Sequence, residues 1–126
     1  MLNIENGVVY LTKGDDAVIE IELGAGENGE DIFEMTEQDI LTLTVREKPS
    51  ADYEALLKIS SNPGSNRIVI RAPDTKAIKV GRYSADIQLT TADGKIHTVW
   101  PELTSSSRYK VKNLKNFVIM PEVTIP

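Results

Sequence analysis

Apolar and polar residues alternate with period two in one short segment after another, and turn-forming residues separate the segments. No other feature constrains the fold as much, because successive side chains of a β-strand point to opposite faces. "VVYLT" (8–12) is β-branched and aromatic, and "KGDD" follows it as a turn. In "AVIEIEL" (17–23), Val18 and Ile19 open the segment, then Ile21 and Leu23 face one side while Glu20 and Glu22 face the other. "DILTLTVREK" (39–48) places Leu41, Leu43 and Val45 inward and Thr42, Thr44 and Arg46 outward. "RIVIRAP" (67–73) is a strand that stops at Pro73. "FVIMPEVTI" (117–125) is a last strand in which Pro121 is tolerable at an edge or a bulge.

The remaining segments are less regular. "EALLKIS" (54–60) reads as a strand or as a helical turn, and "SNPGSN" (61–66) is a loop. "DTKAIKV" (74–80) is the one helical turn, with Asp74 or Thr75 as its cap and Gly81 as its end. The tract "LTSSSRYKVKNLKN" (103–116) is a long loop or hides a short strand at "RYKVK". No segment sustains a 3.6-residue apolar period, and no repeat or heptad is present. Short strands at roughly 8–12-residue spacing predict an all-β chain, an antiparallel β-sandwich of about seven to nine strands.

One local pattern sharpens that expectation to an Ig-like sandwich. In such folds a short turn enters the penultimate strand, and a tyrosine near its start bonds back to upstream backbone. Asp74-Thr75, followed by Gly81-Arg82-Tyr83, occupies the matching place, with Ala85 where an antibody domain has its second cysteine. The competing role for Tyr83 is a ligand-stacking ring. In that penultimate strand Tyr83, Ala85, Ile87 and Leu89 face inward and Ser84, Asp86 and Gln88 outward, and the next strand follows through a hairpin, "ADIQLTTADGKIHTVW", whose register has two solutions. A two-residue Asp93-Gly94 turn places Ile96, Thr98 and Trp100 on the core face. A three-residue Ala92-Asp93-Gly94 loop without a compensating bulge turns His97 and Val99 inward instead. The first is favoured, because it buries the tryptophan and leaves the lone histidine in water.

At 126 residues the chain is long enough to form one domain, 1–126, with a core that needs no staples. It has no cysteine, which removes disulfides, thiolate chemistry and cysteine-based zinc sites. Charge is divided unevenly. Residues 1–63 carry 14 acids and 4 bases, residues 64–126 carry 5 acids and 10 bases. The sharpest runs are acidic 24–39, which includes Glu27, Glu30, Asp31 and Glu34, and basic 107–116, with Arg108, Lys110, Lys112 and Lys115. Such runs complement a partner or a second copy, or they face water and neutralise each other within one fold. With a net charge of −5 and only a short basic run, nucleic acid is not an expected partner.

Catalytic chemistry has little to stand on. His97 is the only histidine, and a general base or a metal site needs converging partners. A pair of His97 with Asp86 or Asp93 across the hairpin is geometrically open, at the surface. "GAGENG" (24–29) begins like a phosphate loop but is followed by "EDIF", with neither a Lys nor a helix start. Glu27, Glu30, Asp31, Glu34 and Asp39 are oxygen donors that suit Ca²⁺ but lack the spacing of a dedicated loop. Ser105-Ser106-Ser107 has no elbow glycines. Trp100 is a core residue or, if exposed, an anchor for protein or sugar. No catalytic residue, metal or cofactor is expected.

The order of these pieces resembles a family of small β-sandwich proteins from prophages of Gram-positive bacteria, similar to the N-terminal domain of phage baseplate upper proteins. "YLTKGDDAVIEIEL" looks like its opening, "MTEQDILTLTVREKPS" like its third strand, "LLKIS" like the segment after it and "FVIMPEVT" like its closing strand. "PDTKAIKVGRYSADIQLTTADGKIHTV" carries the most specific part of the likeness. The resemblance implies a structural or adaptor role in a tail or baseplate, with other phage structural proteins or a second copy as partners. The alternative is a carbohydrate- or ligand-binding module built on Trp100 and neighbouring tyrosines. The N-terminus lacks the basic and apolar regions of a signal peptide, and no apolar run reaches the roughly 18 residues of a membrane span. The expected location is a virion component assembled in the bacterial cytoplasm, away from membranes.

Overall fold

The computed structural model describes residues 2–21, 35–48, 52–101 and 115–122. In chain order they form β1 (Leu2–Glu5), β2 (Val8–Thr12), β3 (Ala17–Glu20), β4 (Ile40–Arg46) and β5 (Leu57–Ser60). Then come β6 (Arg67–Ile70), a short helix α1 (Ala72–Lys76), β7 (Gly81–Thr90), β8 (Ile96–Trp100) and β9 (Phe117–Met120). The all-β expectation holds. The larger sheet runs β1-β2-β9-β7-β4-β5, with β8 also on β7, and β3-β6 form a two-stranded sheet.

The sheets are not purely antiparallel, as the period-two pattern had suggested. β2 and β9 run parallel, from Val9 opposite Phe117 to Thr12 opposite Met120. A hairpin forces antiparallel pairing, but these strands lie near opposite ends of the chain and no short turn joins them. β9 is also an interior strand, between β2 and β7, and it ends before Pro121 rather than carrying the proline at an edge. A proline there would remove a donor that the ladder needs.

One core joins both sheets. Val9 and Leu11 of β2, Leu41, Leu43 and Val45 of β4, Tyr83, Ala85, Ile87 and Leu89 of β7, and Phe117 and Ile119 of β9 face it. Ala17, Ile19, Ile68 and Ile70 face it from β3 and β6. These strands contribute alternate residues, so the inward sets expected for β4 and β7 are the ones observed, but Thr44 and Ser84, expected to face outward into water, are buried as well. "EALLKIS" resolves as strand β5, with Leu57 in the core.

The helical turn lies earlier than its sequence pattern suggests. α1 starts at Ala72, tolerating Pro73 within its first turn, and it ends at Lys76 with Ala77 as its C-cap, while Gly81 opens β7. Asp74 is not the N-cap. It sits inside the first turn and accepts a hydrogen bond from the Arg71 backbone N–H at 2.7 Å. The free Ala72 N–H is satisfied from a distant turn, by Asp16 Oδ1 at 2.7 Å. Thr75, fully buried, accepts from the Gly14 N–H at 2.9 Å. The "KGDD" turn therefore holds the helix in place.

β7 is forked. One edge pairs with β4 from Ser84 to Thr90. Its other edge pairs first with β9, over Gly81–Tyr83, and then with β8, over Ile87–Thr90. Ala85 falls in the gap. Its N–H donates to Asn116 Oδ1 at 2.7 Å and its carbonyl accepts from Asn116 Nδ2 at 2.9 Å. The side-chain amide thus stands in for a strand peptide. The Asn116 carbonyl meanwhile accepts from the Val9 N–H at 2.8 Å, which ties β2 to the same point. Asn116 is 2% exposed. The basic tract 107–116, read as a possible surface, therefore ends in a buried structural residue.

These contacts set the expected cost of two substitutions. Asn116→Ala leaves the Ala85 N–H and C=O buried without partners and lowers unfolding free energy by about 2–4 kcal/mol in urea titrations. Asn116→Asp keeps one acceptor but sets a carboxylate against the Ala85 carbonyl, which raises its folded pKa. That variant is most stable below the ordinary carboxylate value of about 3.9 and loses stability as pH rises through the raised one. A separate comparison concerns Gly64, which has φ +82° and whose added Cβ would lie 3.2 Å from Glu37 Cα. Gly64→Ala costs more than Gly94→Ala, where φ is +84° but nothing lies within 4 Å. The left-handed backbone alone costs about 1–2 kcal/mol in both, and the contact adds to it at Gly64.

Candidate functional site

The hairpin that carries the lone histidine is the natural place to look for chemistry. Its turn is the three-residue Ala92-Asp93-Gly94 loop rather than the two-residue turn. The Thr91 N–H donates to the Lys95 carbonyl at 2.9 Å, and Gly94 takes positive φ. A type I turn followed by such a glycine closes a three-residue hairpin with a bulge. Leu89 therefore faces His97, and Thr90 faces Ile96, which is 62% exposed. The expectation that Ile96 and Thr98 turn inward is overturned.

A second irregularity then shifts the register. Gln88 pairs with Thr98 but Ile87 pairs with Trp100, so one extra residue, Val99, is accommodated between them. The shift brings Trp100 onto the face of Ile87, where it and Val99 pack half-buried against the core. Trp100 thus reaches its expected face by a different route, and its bond to Pro101 is cis. β8 is mostly exposed and is not the core strand that the alternation implied.

This geometry separates the residues that suggested chemistry. His97 shares the face of Leu89, whereas Asp86 lies opposite Thr44 on the other face of the sheet. The two cannot pair. Asp93 is engaged in its own turn, where its carboxylate accepts a hydrogen bond from the Thr91 hydroxyl and lies 3.6 Å from Lys95 Nζ. The Thr91 hydroxyl holds its pKa below the usual carboxylate range. Burial pushes the pKa of Asp86 upward, and the Arg46 charge opposes that shift. Among the described residues, no three His, Cys, Asp or Glu side chains are placed to hold a metal ion. Among them too, no helix is long and apolar enough to cross a membrane.

Of the expected interaction surface, Glu27, Glu30, Asp31, Glu34, Arg108, Lys110 and Lys112 lie outside the described residues. Lys115 is described, and its ammonium donates to the Glu47 carbonyl at 2.6 Å. Asp39, considered as a cation ligand, is instead buried and accepts from the Thr36 N–H at 2.8 Å. Its carbonyl accepts from the Gly64 N–H at 2.8 Å, so it joins the turn before β4 to the loop after β5. Ser61, also buried, accepts from the Leu41 N–H at 3.0 Å.

Gly81 and Tyr83 occupy their expected places at the start of β7. The Tyr83 hydroxyl donates to the Lys79 carbonyl, the backward bond expected of this tyrosine. The ring lies against Gly81, 3.8 Å from where a Cβ would project. It is 8% exposed and is not a stacking platform. Burial raises the Tyr83 pKa, and the nearby Glu47 charge raises it further.

Because the folded protein holds this phenolic proton more tightly than the unfolded chain, the associated stability is complete below the ordinary tyrosine value of about 10. It declines as pH rises from there through the raised pKa. Tyr83→Phe is expected to lose about 1 kcal/mol at neutral pH and to flatten the alkaline decline, as read by thermal melts between neutral and strongly alkaline pH. An unchanged alkaline slope in the variant would assign the titration to another group.

No family model matches the chain, and neither a curated protein nor a solved structure matches it.

Proposed function

We propose that this chain is a non-enzymatic structural or adaptor protein of a phage or prophage tail or baseplate, acting through protein–protein contacts. One observation carries the reading. Five buried polar side chains among the described residues serve the chain's own backbone: Asn116 on Ala85, Tyr83 on Lys79, Asp39 on Thr36, Ser61 on Leu41 and Thr75 on Gly14. Polar groups spent on closing turns and strands are not poised for proton transfer or nucleophilic attack.

An Ig-like sandwich is the finer fold assignment within this proposal. Its support is the tyrosine two residues before Ala85 with its backward hydrogen bond, together with the short helical turn leading into β7. The resemblance of "PDTKAIKVGRYSADIQLTTADGKIHTV" to prophage baseplate proteins supplies the setting. Partners are then other tail or baseplate proteins or a second copy, with no role for nucleic acid or membrane. Assembly takes place in the bacterial cytoplasm.

The test is localisation in particles. An antibody against this chain, applied to phage particles induced from the source cells, is expected to label the tail or baseplate end. Cosedimentation of the chain with intact tails is the matching biochemical result. A chain that remains wholly in the unsedimented fraction, while known tail proteins sediment, contradicts the proposal.

A further inference from the structure

The two-stranded sheet has one face in the core and one in water. Inward lie Ala17, Ile19, Ile68 and Ile70, while Val18, Glu20, Arg67 and Val69 point outward. Val18 and Val69 are directly opposite each other and are 40% and 45% exposed. Glu20 and Arg67 form the next outward pair along the ladder, and both are exposed. An antiparallel ribbon of this size ordinarily carries polar residues on its solvent face. Here an apolar pair is exposed beside one acid and one base.

That arrangement is self-complementary under one symmetry operation. A two-fold axis parallel to the strands, midway between β3 and β6 and above the sheet, preserves position along the strands and exchanges the two strands. It sets β3 of a second copy over β6 of the first. Val18 of each copy then meets Val69 of the other, and Glu20 of each meets Arg67 of the other. A perpendicular in-plane axis between the pairs would instead stack valines on charges. Face-to-face sheets pack at about 10 Å, a spacing these side chains can fill. Isologous contacts of this kind are the commonest basis of homodimers.

We infer that the outer face of the β3–β6 sheet is a docking surface for a second copy of this chain, with valine on valine and Glu20 on Arg67. This dimer is independent of the tail or baseplate reading, since it uses neither the resemblance nor the charged runs. The face is only two short strands wide, so the contact falls well below the roughly 1,200 Å² of a stable complex and the dimer is weak. Such a contact gains strength when copies are held close together by other parts of an assembly.

The test uses charge exchange between copies. Sedimentation velocity over a concentration series reaching about 1 mM is expected to show a reversible monomer–dimer equilibrium for the wild type. Val18→Lys abolishes it. Glu20→Arg and Arg67→Glu, each alone, also give monomers, because like charges then meet across the axis. An equimolar mixture of those two variants dimerises again, since the doubly basic face of the first meets the doubly acidic face of the second. The mixture discriminates sharply, because within each variant chain the cross-strand pair stays like-charged and no rescue can come from folding. Circular dichroism of each variant excludes loss of fold. A wild type that stays monomeric throughout, a dimer that survives Val18→Lys, or a mixture that stays monomeric overturns the inference. None of these outcomes bears on whether the chain is found in phage tails.

Discussion

The larger sheet depends on one side-chain amide. β7 is its longest strand, and β4 covers one edge of it, but the other edge is shared by β9 and β8. Wherever two strands share one edge, a peptide between them is left without a ladder partner. In the buried centre of a domain that omission is costly. Asn116 removes it by offering one donor and one acceptor to Ala85 while its own carbonyl binds Val9. Three strands, β2, β7 and β9, meet at this residue. The parallel β2–β9 pairing and the departure of β8 both hinge on it.

The same economy appears at the other polar sites. Asp16 and Thr75 lock the turn after β2 to α1, and α1 delivers the chain to β7. Asp39 and Ser61 couple the two loops that flank the β4–β5 ladder. Each group satisfies backbone that regular strands leave open at their ends. Asp86 is the exception among the described residues: its Oδ1 is buried without a hydrogen-bond partner, and its pKa is raised accordingly. A raised carboxyl pKa withdraws stability as pH rises through it, so this residue opposes the fold near neutrality.

Period two in the sequence located most of the strands and the inward sets of β4 and β7, because that signal is local and repeated. Gly81-Arg82-Tyr83 announced the backward tyrosine bond for the same reason. β1 was missed although its signal is local: the Asn6-Gly7 dipeptide between β1 and β2 is a strong hairpin signal, and both residues take positive φ in the turn it makes. What stayed hidden depends on residues remote in sequence. Nothing near Asn116 signals that Ala85 lacks a partner, since the gap exists only once β8 and β9 take the same edge. The register of β8 was unreadable because two irregularities act in turn: the glycine of the three-residue loop, then the extra residue at Val99. Counting from the turn alone gives Ile96 and Thr98 the wrong face and Trp100 the right one. α1 was displaced because its N-terminal donor is met by Asp16, some fifty residues upstream, and not by the local Asp74.

Asn116, Tyr83, Asp39, Ser61 and Thr75 thus direct buried polar chemistry at the chain's own backbone. Native-state hydrogen exchange at the Ala85 amide tests that account most directly. This amide has no strand partner on its side of β7 among the described residues, and Asn116 Oδ1 is its acceptor. If the amide pairing organises the sheet, Ala85 exchanges only by global unfolding, with a protection free energy equal to that of the core amides of β4. Exchange of Ala85 on the timescale of the hairpin loop amides would mean that the pairing opens locally and that the sheet does not depend on it.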